Sequence, residues 1–358
     1  MILRLDAIGD YILFRNFIKI LKESERFKGY KFTICGNILW RELAEKYDKE
    51  YIDEFIWVDK NRFRKSSEWL YSNFLMLKLH LKGFEALLQP NDMNSRISDY
   101  IIKRCGIDNV ISATERILPA LNRNGSAMNS INAPIDNENK SVFLFYRNKK
   151  FIEKITDNRA EIKKPFFEIK KNASAEEYFV IFPGAGNNWR KWSPENFAKL
   201  CIKIQEISNS KIYICGNESD KQIAKEIMKR ADIKNIVDKT GQTSLSQLVE
   251  LITDAKLVIS NETCAVHIGA AVNTMTICIS NGNHFGRFNP YPEEITPLVK
   301  TIYPEEIYSE MHDYAAMVSK YFISSEIDIN NISVNRVFDI FKKLMEKEKL
   351  NKSELQNN

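Results

Sequence analysis

A chain of 358 residues with 44% hydrophobic and 28% charged side chains can bury a large core, and its length favours two domains over one. A formal charge of +5 is too weak for a dedicated nucleic-acid binder, and suits anionic substrates or an anionic membrane surface. Six scattered cysteines without a C-x-x-C pair, and four dispersed histidines, argue against zinc and redox sites and for a reducing cytoplasm.

The chain opens in a strand pattern over residues 1–5 and passes through Asp6-Ala7-Ile8-Gly9-Asp10 into helical periodicity over residues 11–22. Because this strand begins at Met1 with no lead-in, an upstream start is expected, which N-terminal sequencing tests. Alternation continues with strands over 30–35, 54–58 and 84–89 and helices over 39–47, 69–82 and 95–105. Alternating β and α predicts a parallel sheet covered on both faces, with ligands beyond the carboxyl ends of the strands. That rule gathers Asp6, Gly9, Asp10, Asn91, Asp92 and Arg96 near one rim. Asp10 has two open readings: an N-cap beside the Gly9 turn, or a carboxylate serving as general base.

Lys60 to Lys65 is basic, and the helix that follows it from Trp69 is apolar and aromatic. Either it contacts a membrane surface or it packs on its own sheet with solvated charges. No signal peptide and no apolar run long enough to span a bilayer is recognisable. Residues 122–140 read as a long surface loop, and 163–176 as an interdomain linker.

The second half repeats the alternation. A buried-type strand over 178–182 ends in Pro183-Gly184-Ala185-Gly186, with Arg190 and Lys191 close behind, the composition of a phosphate cradle without a P-loop or G-x-G-x-x-G pattern. Ser193-Pro194 is a well-formed helix start. A strand over 211–215 leads to Glu218, at the tip where an acidic residue commonly accepts ribose hydroxyls. A strand over 235–237 and a helix over 244–255 follow. The strand over 257–259 then stops at Ser260-Asn261-Glu262-Thr263, and small residues from Cys264 to Ala271 begin a helix. Its unpaired N–H groups suit an anion, whereas the plainer reading has Thr263 as a cap and His267 satisfied in the interior. A strand over 274–279 and a helix over 334–347 close the pattern, with 351–358 expected to fray.

Together, Arg4 to Asp10, Pro183-Gly184-Ala185 with Arg190-Lys191-Trp192, and Gly241-Gln242-Thr243 leading to Ser260-Asn261-Glu262-Thr263 and His267-Ile268-Gly269-Ala270-Ala271 resemble glycosyltransferase family 9, the bacterial ADP-heptose:lipopolysaccharide heptosyltransferases. The resemblance extends in order from residue 1 to about 285. It implies the GT-B fold, two Rossmann-like doubly wound α/β domains facing a central cleft. The expected bounds are 1–170 for an acceptor-side domain, 171–330 for a nucleotide-sugar domain and 331–358 for a helix packing back on the body.

The resemblance further implies an inverting, metal-independent transfer from a nucleotide-diphosphate sugar, with no cofactor, to a glycolipid or surface-glycan acceptor. The setting is the cytoplasm, with peripheral contact at the inner membrane as one reading. Asp10 is then the base. Gly184, Ala185, Arg190, Lys191, Glu218, Glu262, Thr263, Cys264 and His267 lie on the donor side, and Gly9, Asn91, Asp92 and Arg96 on the acceptor side. Glu262 replaces the usual Asp, and Cys264-Ala265 the usual Gly-Pro, so another nucleotide sugar or an inactive binding module is the alternative. Glu262 would repel phosphates and is expected to face sugar hydroxyls or ribose.

Overall fold

The computed structural model describes residues 1–90, 95–113, 129–132, 143–172, 174 and 176–356. The chain divides into two compact units, Met1–Pro165 and Phe166–Asn358. The first holds a parallel sheet of β1 (Ile2–Arg4), β2 (Thr33–Asn37), β3 (Glu54–Val58), β4 (Ala86–Gln89), β5 (Asn109–Ser112) and β6 (Asn129–Asn132), in the order β3-β2-β1-β4-β5-β6. Its helices are α1 (Ile8–Ile12), α2 (Phe17–Glu23), α3 (Arg41–Tyr47), α4 (Lys60–Arg64), α5 (Trp69–Leu81), α6 (Arg96–Arg104) and α7 (Leu144–Thr156).

The second unit holds β7 (Tyr178–Phe182), β8 (Lys211–Ile214), β9 (Ile236–Asp238), β10 (Leu257–Asn261), β11 (Met275–Ile279) and β12 (Val299–Ile302), in the order β12-β11-β10-β7-β8-β9. Its helices are α8 (Pro194–Ile207), α9 (Lys221–Ala231), α10 (Leu245–Asp254), α11 (Cys264–Ala271), α12 (Glu305–Glu310), α13 (Tyr314–Tyr321) and α14 (Val334–Gln356). Counted within each unit, both sheets have the doubly wound order 3-2-1-4-5-6, so the expected pair of Rossmann-like domains of the GT-B class is present. Both interiors are dominated by Ile and Leu, with Met and Cys in the first and Phe in the second, as strands buried on two faces require.

Several elements differ from the sequence expectation. The helix expected over 11–22 is two helices, because the Asn148 side chain captures the Leu13 carbonyl (3.0 Å) and the Phe17 N–H turns to Phe14 instead (2.9 Å). Arg15, in the break, reaches Asp48 at 2.7 Å. Tertiary partners thus override the helical period. The loop expected over 122–140 lies outside the described residues except for β6, which contradicts it at residues 129–132. The strands β5 and β12 carried too few apolar residues to be read. The last helix runs on to Gln356 rather than fraying from 351, and Lys256 meets Glu348 near its far end at 3.7 Å. α14 packs on α8 and β11.

Candidate active site

In the first unit, Arg4 organises the turn after β1. Its guanidinium is buried, lies 4.2 Å over the Phe14 ring, pairs with Asp6 at 2.9 Å and donates to the Asp10 carbonyl at 3.1 Å. It also donates to Asn148 at 3.5 Å, so the residue that breaks the helix is tied to the same arginine. Asn37 at the end of β2 donates to the Asp6 carbonyl at 2.8 Å.

Asp10 is buried at the third position of α1. The N-cap is Ala7, so Asp10 does not occupy the N-cap position that one of its two readings gave it. Gly9 precedes it in the same turn. Lys60, from α4, donates to the Leu5 carbonyl at 2.9 Å; burial and Arg64 lower its ammonium pKa, and the charges of Asp6 and Asp10 oppose that shift. The chemistry at this rim is therefore a carboxylate with a partly desolvated ammonium nearby, and Lys60 is the residue that sequence reasoning assigned to the surface. Arg96 starts α6 behind the Ser95 cap and is exposed. Asn91 and Asp92 lie outside the described residues.

In the second unit, Asn261 at the end of β10 joins three segments. Its amide donates to the Pro183 carbonyl (2.7 Å) and the Gly184 carbonyl (3.4 Å), while its oxygen accepts from the Trp192 N–H (3.2 Å). The small-residue loop after β7, the cationic turn and the start of α11 are thereby held together. Thr263 caps α11 by accepting from the Ala265 N–H at 3.2 Å. Cys264 follows at the first helical position, its thiol raised to about 11 by burial.

Glu262 is placed differently from expectation. One carboxylate oxygen takes Arg190 (3.2 Å), whose guanidinium also donates to the Glu262 carbonyl (2.8 Å), and the other accepts from the Ser280 hydroxyl (2.6 Å). It faces protein partners rather than the sugar hydroxyls or ribose, because a buried carboxylate needs both oxygens satisfied. Of the two adjacent cations, Arg190 is committed and Lys191, half-buried, has no ion pair among the described residues.

Ala185 is half-buried, and Gly184 abuts the buried Asp220 carboxylate, which a Cβ at 184 would meet at 2.5 Å. Asp220 in turn accepts from the Asn217 N–H at 3.0 Å and closes the capping box that begins at Asn217. Glu218 is exposed at the head of that turn, pairs with Lys221 at 2.7 Å, and has its carboxylate against Gly241.

His267 is packed in the interior. Its Nδ1 lies 2.5 Å from the Tyr291 hydroxyl, Phe288 is beside it, and burial followed by the Arg190 charge lowers its pKa to about 3. The imidazole is neutral at physiological pH, which favours the plainer of its two readings. Asn261, Asp220, Ser280 and Lys60 were missed as site residues; only Asn261 carried a signal, its place inside the strand-to-helix motif.

Among the described residues, no three His, Cys, Asp or Glu side chains converge as a metal-ligand set, and no helix is long and apolar enough to cross a membrane. Comparison with known proteins matches residues 137–317, just over half of the chain, to the family model "Glycosyltransferase family 9 (heptosyltransferase)". Lipopolysaccharide heptosyltransferase 3 of Escherichia coli K12 is 28% identical over 121 residues, which cover 34% of this chain and 35% of that protein. The chain thus aligns with about a third of that relative's length.

The glycosyl transferase family 9 structure from Veillonella parvula superposes with a TM-score of 0.71 at 15% identity, covering 97% of each chain. The structure of E. coli ADP-heptose lps heptosyltransferase II gives 0.65 at 15% identity, covering 97% of this chain and 99% of that one. These likenesses agree in fold with the two doubly wound units. By the extent of the family match and the ordered motifs that it includes, the chain belongs to glycosyltransferase family 9.

Proposed function

We propose that this protein transfers a heptose from ADP-heptose to a lipopolysaccharide-core or related surface-glycan acceptor, with inversion and without a metal. The observation that carries this reading is the assembly at the carboxyl edge of the second sheet. There Asn261 holds the Gly184 loop, the Lys191 turn and the capped N-terminus of α11 together, and these supply backbone N–H groups and a cation suited to a departing nucleoside diphosphate. Family membership supports the reaction class. The likeness to an E. coli lipopolysaccharide heptosyltransferase and to an E. coli ADP-heptose heptosyltransferase supports lipopolysaccharide and ADP-heptose.

In this reading an acceptor hydroxyl attacks the anomeric carbon as Asp10 takes its proton, and the diphosphate leaves on the opposite side with the negative charge that Lys191 and the α11 N–H groups stabilise. Lys60, anchored on the Leu5 carbonyl, places a positive charge near Asp10 at this rim. Arg190 and Glu262 build the wall of the donor site rather than touching phosphate. Because Glu262 is fixed inward, a second donor class, another nucleotide sugar, is the alternative that this geometry favours.

The test is nucleotide release from a panel of ADP-heptose and UDP-sugars, with a glycolipid extract as acceptor and a chelator present, comparing the wild type with Asp10→Asn. Acceptor-dependent release from ADP-heptose that falls by about a hundredfold or more in the variant is expected. Turnover that survives the substitution removes Asp10 from the base role, and a UDP-sugar preference replaces the donor.

A further inference from the structure

The helix α5 has two apolar faces, and only one is used within its own unit. Leu75, Met76 and Leu79 are buried in the first core. On the opposite side, Leu70, Phe74, Leu77 and Leu81 recur at i, i+4, i+7 and i+11, which places them in one stripe along the helix. Their exposures are 65%, 70%, 55% and 75%, and Trp69, the first residue of the helix, is 60% exposed. Single exposed apolar side chains are ordinary, but a contiguous row of this length marks an interaction surface.

The charge around the row identifies its occupant. Residues 60–82 contain six Lys or Arg against the lone Glu68, a surplus of five that equals the formal charge of the whole chain, +5. The remainder of the protein is neutral on balance. Arg62 is paired with Glu68 and Lys82 with Glu54, while Arg64, Lys65 and Lys78 are exposed and have no ion pair among the described residues. An apolar stripe flanked by uncommitted cations matches the two layers of an anionic bilayer surface, acyl boundary and head-group phosphate, and Trp69 at the start of the helix suits the interface between them.

We propose that α5 is a membrane-docking helix that lies in the plane of an anionic phospholipid surface, with Leu70, Phe74, Leu77 and Leu81 in the acyl boundary and Arg64, Lys65 and Lys78 on head-group phosphates. The proposal is independent of which sugar is transferred. It is tested by flotation of the full chain with vesicles of phosphatidylglycerol and phosphatidylcholine in equal parts, against phosphatidylcholine alone.

The wild type is expected to float with the mixed vesicles and far less with the neutral ones. A Phe74→Ser/Leu77→Ser variant is expected to bind at least about tenfold more weakly, with an unchanged melting temperature because both positions are exposed. Arg64→Gln and Lys65→Gln are each expected to weaken binding about fivefold, and added salt to weaken it further. Absence of flotation with the anionic vesicles, or equal flotation of the stripe variant, overturns the proposal. A dimer in sedimentation that the stripe variant dissolves, without vesicle binding, assigns the face to a second copy and overturns it also.

Discussion

The Arg190 guanidinium grips Glu262 twice, at the backbone carbonyl (2.8 Å) and at the side-chain carboxylate (3.2 Å), with both residues largely shielded from water. Removing only the cation strands a carboxylate in the interior, which costs about 3–5 kcal/mol. Arg190→Ala is therefore expected to lower the urea midpoint sharply at neutral pH, and adding Glu262→Gln to recover most of the loss. If the double variant is no more stable than Arg190→Ala, the two residues are not a coupled pair.

The same neighbourhood sets two opposing pH dependences. Burial raises the Glu262 pKa above its ordinary 4.5, against the pull of Arg190 and Ser280. The folded state therefore holds this proton more tightly than the unfolded one, and its contribution to stability is full below 4.5 and lost as pH rises through the raised value. His267 behaves oppositely: with its pKa lowered from 6.5 to about 3, its contribution is full above 6.5 and lost as pH falls through that window. Denaturant titrations should show the wild type losing about 2 kcal/mol relative to His267→Gln between about pH 7 and pH 5. Relative to Glu262→Gln, the wild type should lose stability on going upward from 4.5. Parallel pH curves for a variant and the wild type count against the shift assigned to that residue.

Asn261 has no substitute that keeps both of its functions. Alanine leaves the Trp192 N–H and the Pro183 carbonyl unpaired in the interior, an expected loss of about 3 kcal/mol. Aspartate retains the acceptor but sets a charged oxygen against the Pro183 carbonyl, and is expected to be worse than alanine. Melting temperatures of the two variants give the order directly, and an aspartate variant as stable as the wild type contradicts it.

Gly241 sits at φ +66 with Glu218 pressed against its missing Cβ. Gly241→Ala combines a backbone strain of about 1 kcal/mol with displacement of the Glu218 carboxylate. Gly29, at φ +82 with nothing near its Cβ, carries the strain alone. Both alanine variants are expected to lose similar stability, but only the one at 241 to raise the donor KM, with kcat little changed. Equal KM values in the two variants dissociate Glu218 from the donor.

The sequence pattern was most legible where local and tertiary signals agreed. Residues 54–58 and 178–182 are strands at the bounds that their β-branched and aromatic runs implied, and Ser193-Pro194 starts a helix as capping chemistry requires. It was least legible where one distant side chain decides the local path. The break between α1 and α2 depends on Asn148, more than 130 residues away, and no window around Leu13 contains that information. The site divides similarly. The loops that bear it were visible as small and polar residues after apolar strands, whereas the orientation of Glu262 depends on Arg190 and Ser280, which lie far from it in sequence. Lys60 was visible only as one lysine in a basic run, and the inward turn of its side chain is a property of the folded chain.

The close seating of α11 has a mechanical consequence. At Gly269 a methyl group would collide with the Thr276 hydroxyl of β11, so the helix rests on its sheet with no spacer between them. Such a helix is a rigid bracket whose leading edge, residues 262–264, stands at a fixed height above the strand ends. Under the proposed function, a change of donor is then expected from exchanging the side chain at 264, since Glu262 is held by Arg190 and Ser280, and not from sliding the bracket itself. Directed evolution toward new donors should accordingly accumulate substitutions at 264 and leave 269 and 276 untouched.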